Sequence, residues 1–295
     1  MKNDRIGDTS SLLSSVTKYR KENGRTYHAY RDGKYLLPND EKEIAREWIL
    51  HTVFDVAMGG RLFLSPLGPN PRHVLDVGTG SGLWAIDYAD ANPETKVIGT
   101  DLSPIQPDSV PPNLIFEVDD AEDEWAFGHK FDFIHGRVLT TALADWPRFM
   151  EQSFENLEPG GWLEIQEIIR PYRSDDGTLL PDSALAEWSE LCIQAAHNLD
   201  HPYTTARMYK RWMKAAGFVN IRQERFKLPT NPWPRDRHYQ QLGLYNMQNL
   251  LEGAHGFSVA MFTRGLGWAS SEVEVFLVKV RRELQDRNIH AYVPM

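Results

Sequence analysis

HVLDVGTGSGLWAIDYADANPETKVIGTD, residues His73 to Asp101, is the stretch on which the reading of the whole chain turns. It opens with a short apolar run, Val74-Leu75-Asp76-Val77, breaks at Gly78-Thr79-Gly80-Ser81-Gly82, and continues into Leu83-Trp84-Ala85-Ile86, whose spacing suits a helix packed on a sheet. Glycines are required where the chain turns off a strand with positive φ and where a ligand must approach closer than a Cβ allows. The amide groups at the start of the helix then face that ligand. A second apolar run, Val97-Ile98-Gly99-Thr100, ends in Asp101, 19 residues beyond Gly82. A carboxylate at the tip of the next strand is placed to hold the two hydroxyls of a ribose, so a nucleoside-type cofactor is expected.

Gly80-Ser81-Gly82-Leu83-Trp84-Ala85 also satisfies the dinucleotide pattern G-x-G-x-x-G/A. Two features weigh against NAD: the loop opens earlier, at Gly78, and an acid stands beneath it at Asp76. An anionic side chain there suits a cationic ligand end, such as the ammonium of an amino acid, and would not help a pyrophosphate. A third apolar run, Leu114-Ile115-Phe116-Glu117-Val118, leads into Asp119-Asp120-Ala121, where a carboxylate could accept from an adenine amino group.

Taken together, D-x-G-x-G-x-G, the ribose acid and the later Asp-Ala resemble the pattern of class I S-adenosylmethionine (SAM)-dependent methyltransferases. From Asn23 onward the chain is more specifically similar to the fungal LaeA-like methyltransferases. The markers are Gly24-Arg25-Thr26-Tyr27-His28-Ala29-Tyr30, Asp101-Leu102-Ser103-Pro104-Ile105-Gln106-Pro107, Val110-Pro111-Pro112-Asn113, Phe133-Ile134-His135-Gly136-Arg137, Gly256-Phe257-Ser258 and Phe262-Thr263-Arg264. The resemblance implies an α/β fold: a Rossmann-like seven-stranded sheet with helices on both faces, an N-terminal lid and a C-terminal helical insertion. It implies SAM as cofactor, held by Asp76, Gly78, Gly80, Gly82, Asp101, Leu102, Asp120, Ala121 and His135. Some members of the family look like tailoring enzymes for small metabolites, and others like regulators working with velvet-type nuclear proteins. The family usually runs on past Val293-Pro294, so the last strand is expected to be short.

Composition sets the outer bounds. With 295 residues, 41% hydrophobic and 25% charged, the chain can bury a full core. A net charge of −9 argues against a nucleic-acid backbone as direct partner. Cys192 is the only cysteine, so neither a disulfide nor a cysteine metal cage is expected, and it reads as a packed thiol in a helix. No run approaches a membrane span and the first residues lack a signal peptide's apolar core, so a reducing cytoplasmic or nuclear setting is the expectation. No metal site is expected.

Residues 1–18 are polar and Ser-rich and are expected to be poorly ordered; residues 19–295 form the catalytic domain. Within it, 19–70 reads as lid and helix, 71–170 as the cofactor core, and 171–295 as acceptor-side helices with the last strands. In the lid, two readings stand: a strand-and-turn cover over a sheet edge, or a segment whose Tyr27, His28, Tyr30 and Tyr35 line the substrate or cofactor mouth. Pro38-Asn39-Asp40-Glu41 starts a helix with Ile44, Trp48, Val53 and Val56 as its core stripe, His51 buried nearby, and Gly59-Gly60 at its end.

Phe131-Asp132-Phe133-Ile134 reads as the fourth strand, which puts His135 and Arg137 at its ligand-facing tip. His135 is the first candidate general base and His28 the second; capping the strand and pairing with an acid are the plainer roles of His135 and Arg137. Trp162 to Glu167 reads as the fifth strand after an L-x-P-G-G turn, and a sixth is expected near Asn220 to Leu228. Trp233, in the rigid Pro229–Pro234 loop, joins Arg137 and the three tyrosines as a candidate acceptor contact. Three helices follow, over Arg237–Leu251, Phe257–Leu266 and Ser270–Gln285, and would roof the site.

Overall fold

The computed structural model describes residues 16–295. The expected poor order of the N-terminus therefore falls, for residues 1–15, outside the described residues. The quoted stretch folds as read: β3 (His73–Val77), a glycine loop, α2 (Leu83–Ala91) and β4 (Lys96–Asp101). With β5 (Leu114–Val118), β6 (Phe131–Arg137) and β7 (Leu157–Gln166) they make one five-stranded sheet in the order β5-β4-β3-β6-β7. Every pairing in it is parallel. The order reverses between β3 and β6, and a parallel sheet opens its ligand crevice at the C-terminal ends of the strands where that happens.

Each face of the sheet buries its own cluster. On one side Val74 and Phe133 pack against Trp84 and Tyr88 of α2. On the other, Leu75, Val77 and Ile134 pack against Phe149 and Met150 of α3 (Trp146–Glu155) and Tyr209 of α5 (Tyr209–Ala216). No helix crosses from β4 to β5; proline-rich chain takes its place, as the sequence indicated. The L-x-P-G-G stretch is not a turn before β7. It is the bulged beginning of that strand, with Gly160 at φ 86° and the register shifted between Phe131 and Phe133.

Among the described residues the sheet has five strands, not seven. The last two, β8 (Lys227–Pro229) and β9 (Tyr292–Pro294), pair antiparallel with each other as a separate ribbon. Each is three residues long and ends in proline, and single backbone bonds continue past both ends, between Phe226 and Met295 at 3.0 and 2.9 Å and from Thr230 N–H to Ala291 O at 3.0 Å. The ribbon is tied to the chain leaving β7 by Ile169 N–H to Pro294 O at 2.8 Å and by the Arg173–Tyr292 bridge.

Above the strand tips lies a helical roof with the largest core cluster. It joins α1 (Glu41–Ala57), α4 (Ala184–Asn198), α6 (Arg237–Gly265) and α7 (Ser270–Leu284) around Phe54, Trp188, Cys192, Phe262 and Leu277. Two expectations fail here. The first two of the three helices expected after Trp233 are one continuous helix, α6, of 29 residues. Gly253 and Gly256 do not break it but permit contact: a Cβ on Gly253 would lie 2.3 Å from the Phe257 ring, and one on Gly256 would lie 3.0 Å from Arg25 and Glu43.

The stripe assigned to α1 is also wrong in part. Trp48 is 61% exposed, while Glu43 and Arg46 are buried. Charge pairing accounts for the exchange: Arg46 Nε binds Glu43 at 2.7 Å and its Nη1 donates to Asn249 of α6 at 2.8 Å. Two charged side chains can face a helix interface when they satisfy one another. Before α1, the hairpin β1 (Arg20–Glu22) and β2 (Arg25–Tyr27) turns at Asn23-Gly24, both with positive φ, and packs on α6 through an Arg264–Glu22 ion pair.

Candidate functional site

One cavity opens over the tips of β3, β4 and β6, bounded by the glycine loop below and the helical roof above. Gly78, Gly80 and Gly82 all take positive φ, and Gly82 caps α2 with no side chain of its own. Asp101 fastens the loop from the neighbouring strand. Its Oδ2 accepts Gly80 N–H at 2.9 Å and its Oδ1 accepts Ser103 N–H at 2.9 Å, while burial pushes its pKa up. A carboxylate held in this way faces the cavity and keeps spare lone pairs for hydroxyl donors.

Asp76 and His135 are register partners on adjacent strands, so they share a face. Asp76 Oδ1 accepts from His135 Nδ1 at 2.7 Å, and Asp76 Oδ2 accepts from Thr79 Oγ1 at 2.5 Å. The imidazole is fully buried and stacked on Trp84 at 3.7 Å and 7°, and no described group partners its Nε2. His135 thus forms the floor of the cavity and orients Asp76. Arg137, also at the tip of β6, donates to Gln166 at 2.8 Å, meets His51 Nδ1 at 3.1 Å and lies over Phe54. Burial lowers its pKa to about 10, which leaves it charged at neutral pH.

Asp120 and Ala121 line the same cavity below the end of β5. Asp120 is engaged from the lid: Lys34 binds it and reaches Glu122 at 2.8 Å, and Arg31 stands 3.6 Å away. Leu102 and Tyr35 also line the cavity. His28 lines it too, but its ring braces the lid turn, with Nε2 against Arg31 O at 3.0 Å and Tyr35 N–H at 3.3 Å.

Three candidates lie elsewhere. Tyr27 is a buried core residue under the Arg264 guanidinium. Tyr30 points its hydroxyl at Asp123, 3.5 Å away. Trp233 donates to Ala291 O at 2.9 Å and stacks on His290. None of the three borders the cavity. His51, expected to be buried in the core, instead stands half-buried in the cavity wall between Asp87 and Arg137.

Several wall residues were not singled out from the sequence. Glu47 of α1 accepts Ser81 N–H at 2.8 Å, and burial raises its pKa to about 7. Lys34, Arg170, Tyr172, Tyr203 and Asn249 are also among them. A polar residue in a helical pattern gives no sign by itself; only the i+4 relation of Glu43 and Glu47 beside Arg46 hinted at a charged inner face.

The wall fits a nucleoside with a zwitterionic amino-acid tail and a cationic centre. Asp76, Glu47 and Asp101 place carboxyl groups on this wall, and Arg137, with no ion pair among the described residues, places a guanidinium on it. The glycines leave no room for other side chains: a Cβ on Gly80 would lie 2.8 Å from Glu47 Oε2, and one on Gly82 2.4 Å from the Phe116 ring.

Comparison with known proteins gives a consistent family. The model of the family described as "Methyltransferase domain" matches residues 49–223. Methyltransferase pytC of Aspergillus terreus is 40% identical over 98% of this chain and 89% of its own length. Probable methyltransferase tdiE of Emericella nidulans is 36% identical over 97% and 90%. The secondary metabolism regulator LAE1 of Cochliobolus heterostrophus is 39% identical over 92% of this chain and 91% of its own.

Proposed function

Since this chain belongs to the methyltransferase-domain family, we propose that it is a SAM-dependent enzyme that methylates an oxygen or nitrogen atom of a small secondary metabolite. The observation that carries the reading is the Asp101 carboxylate, bound to Gly80 N–H and open to the cavity that also reaches the aromatic residues of the roof.

In this reading Asp101 takes the ribose hydroxyls and Asp120 with Ala121 the adenine edge. Glu47 and Arg137 take the ammonium and carboxylate of the amino-acid tail. When bound, SAM supplies an electrophilic methyl carbon whose bond to sulfur breaks as the acceptor heteroatom bonds to it, the electron pair leaving on sulfur as a neutral thioether. The chain's own work is to align the acceptor behind that methyl and to keep water out, which can supply most of the rate. An acceptor that is already ionised needs no base; a protonated one would lose its proton to solvent or a cavity carboxylate.

Calorimetry tests the reading directly. SAM should bind the wild type, and Asp101→Ala should weaken it by about 100-fold, the scale of two lost hydrogen bonds to a charged group. No binding, or a variant that binds as well as wild type, would reject it.

A second reading, favoured by the 39% identity to a protein named as a secondary metabolism regulator, is action through a velvet-type nuclear partner. Pull-down of such a partner by both wild type and the Asp101→Ala variant would support it. Methylated metabolites lost with the gene would support the enzyme.

A further inference from the structure

Arg170 stands four residues beyond the end of β7, on the roof side of the cavity. It is 6% exposed, and its guanidinium is enclosed by the rings of Tyr172 at 4.9 Å, Trp188 at 5.0 Å and Tyr203 at 5.5 Å. Among the described residues it makes no ion pair, and its Nη1 has no hydrogen-bond partner. This is unusual company for a guanidinium, which stays charged when buried and carries five donors. Arg46, buried to the same degree, is matched by Glu43 and Asn249. Three aromatic faces and the nearby hydroxyls of Tyr172 and Tyr203 compensate part of the charge, but Nη1 is left without an acceptor.

We infer that Arg170 and its aromatic cage form the acceptor subsite, built for a planar oxyanion: a carboxylate or an enolised 1,3-dicarbonyl carried on an unsaturated or aromatic ring. The planar fork of a guanidinium matches a planar pair of oxygens, and the flanking rings match a flat conjugated body. Tyr172, Tyr203, Asn249 and Phe257 line the same cavity, whose other cationic side chains among the described residues are Lys34, Arg46 and Arg137; Lys34 is bound to Asp120. An anion anchored on Arg170 would present another part of the acceptor toward the glycine loop. The inference rests on the methyltransferase reading for the word acceptor, not for the anion preference itself.

The full-length chain loaded with S-adenosylhomocysteine is titrated calorimetrically with 1-naphthoate, with 1,3-cyclohexanedione, which is ionised at neutral pH, and with the neutral 1-naphthamide. Naphthoate or the dione should bind the wild type at least about tenfold more tightly than the amide, the scale of one charge-assisted hydrogen bond; which of the two binds identifies the oxyanion. Arg170→Gln should abolish the preference while keeping its affinity for S-adenosylhomocysteine. Arg170→Lys, which keeps the charge without the fork, should retain a reduced preference, and it carries the test if the glutamine variant does not fold. Equal binding of anion and amide, absence of binding by both anions, or a preference that survives Arg170→Gln would overturn the inference. Failure of S-adenosylhomocysteine to bind the wild type would instead reject the methyltransferase reading, and the anion titration of the unloaded chain would still decide the subsite.

Discussion

Glu47 Oε2 of α1 accepts the backbone N–H of Ser81 at 2.8 Å, joining a helix of the roof to the glycine loop. Burial raises its pKa from 4.5 to about 7. The folded state therefore holds this proton more tightly than the unfolded chain does. The associated stability is full below pH 4.5 and is lost as pH rises through 7. Glu47→Gln should accordingly gain melting temperature relative to wild type between pH 5 and pH 8. A difference between the two proteins that stays flat across that range would mean that Glu47 does not titrate as described.

Lys34 couples the lid to the cavity wall below the end of β5, since it meets both Asp120 and Glu122. Burial alone would raise the Glu122 pKa, but the Lys34 bond and two backbone N–H groups outweigh it and hold it below the usual carboxylate value. A depressed carboxylate contributes stability that is present above its unfolded pKa and lost as pH falls. Lys34→Met should cost about 1–3 kcal/mol near neutral pH, less than a fully buried pair because the lysine is 20% exposed. Denaturant titrations at pH 7 and pH 3.5 check the sign: the loss should shrink at the lower pH.

What could be read from the chain followed local physics. The strand, glycine loop and helix from His73 to Ala91 were legible because the turn needs glycine and the strand is a continuous apolar run. Asp101 was legible from its place at the end of β4, and Arg137 from its place at the end of β6. Glu47, Lys34 and Arg170 were not, because their partners lie far along the chain: Ser81 for Glu47, Asp120 for Lys34, and Trp188 and Tyr203 for Arg170. The aromatic residues of the lid misled for a related reason. A tyrosine reads alike whether it faces a cavity, as Tyr35 does, or supports an arginine in the core, as Tyr27 does.

The continuity of α6 gives a third prediction. Gly243 sits in that helix where a Cβ would lie 2.2 Å from the carbonyl oxygen of Asn231. In an open helix, alanine in place of glycine gains about 1 kcal/mol. Here the neighbour is backbone of the loop that carries Trp233, and it cannot move aside as a side-chain tip would. Overpacking should outweigh propensity, and Gly243→Ala should lose about 1–3 kcal/mol on balance. Equilibrium unfolding decides it: a stabilised variant would mean that the loop yields.

His135 gives the last prediction, and it separates a positioning residue from a base. A base must come within hydrogen-bond reach of the proton it removes. This imidazole is fully buried, flat against Trp84, and committed through Nδ1 to Asp76. With Nδ1 donating, Nε2 is left as an acceptor with no described partner. His135→Asn should therefore loosen Asp76 rather than remove a proton acceptor. SAM affinity should fall about tenfold, one charge-assisted hydrogen bond's worth, and the melting temperature should drop with it. Methyl transfer at saturating SAM should keep its wild-type dependence on pH. If SAM instead binds unchanged while turnover collapses, the imidazole is the base and its burial is relieved when ligands bind.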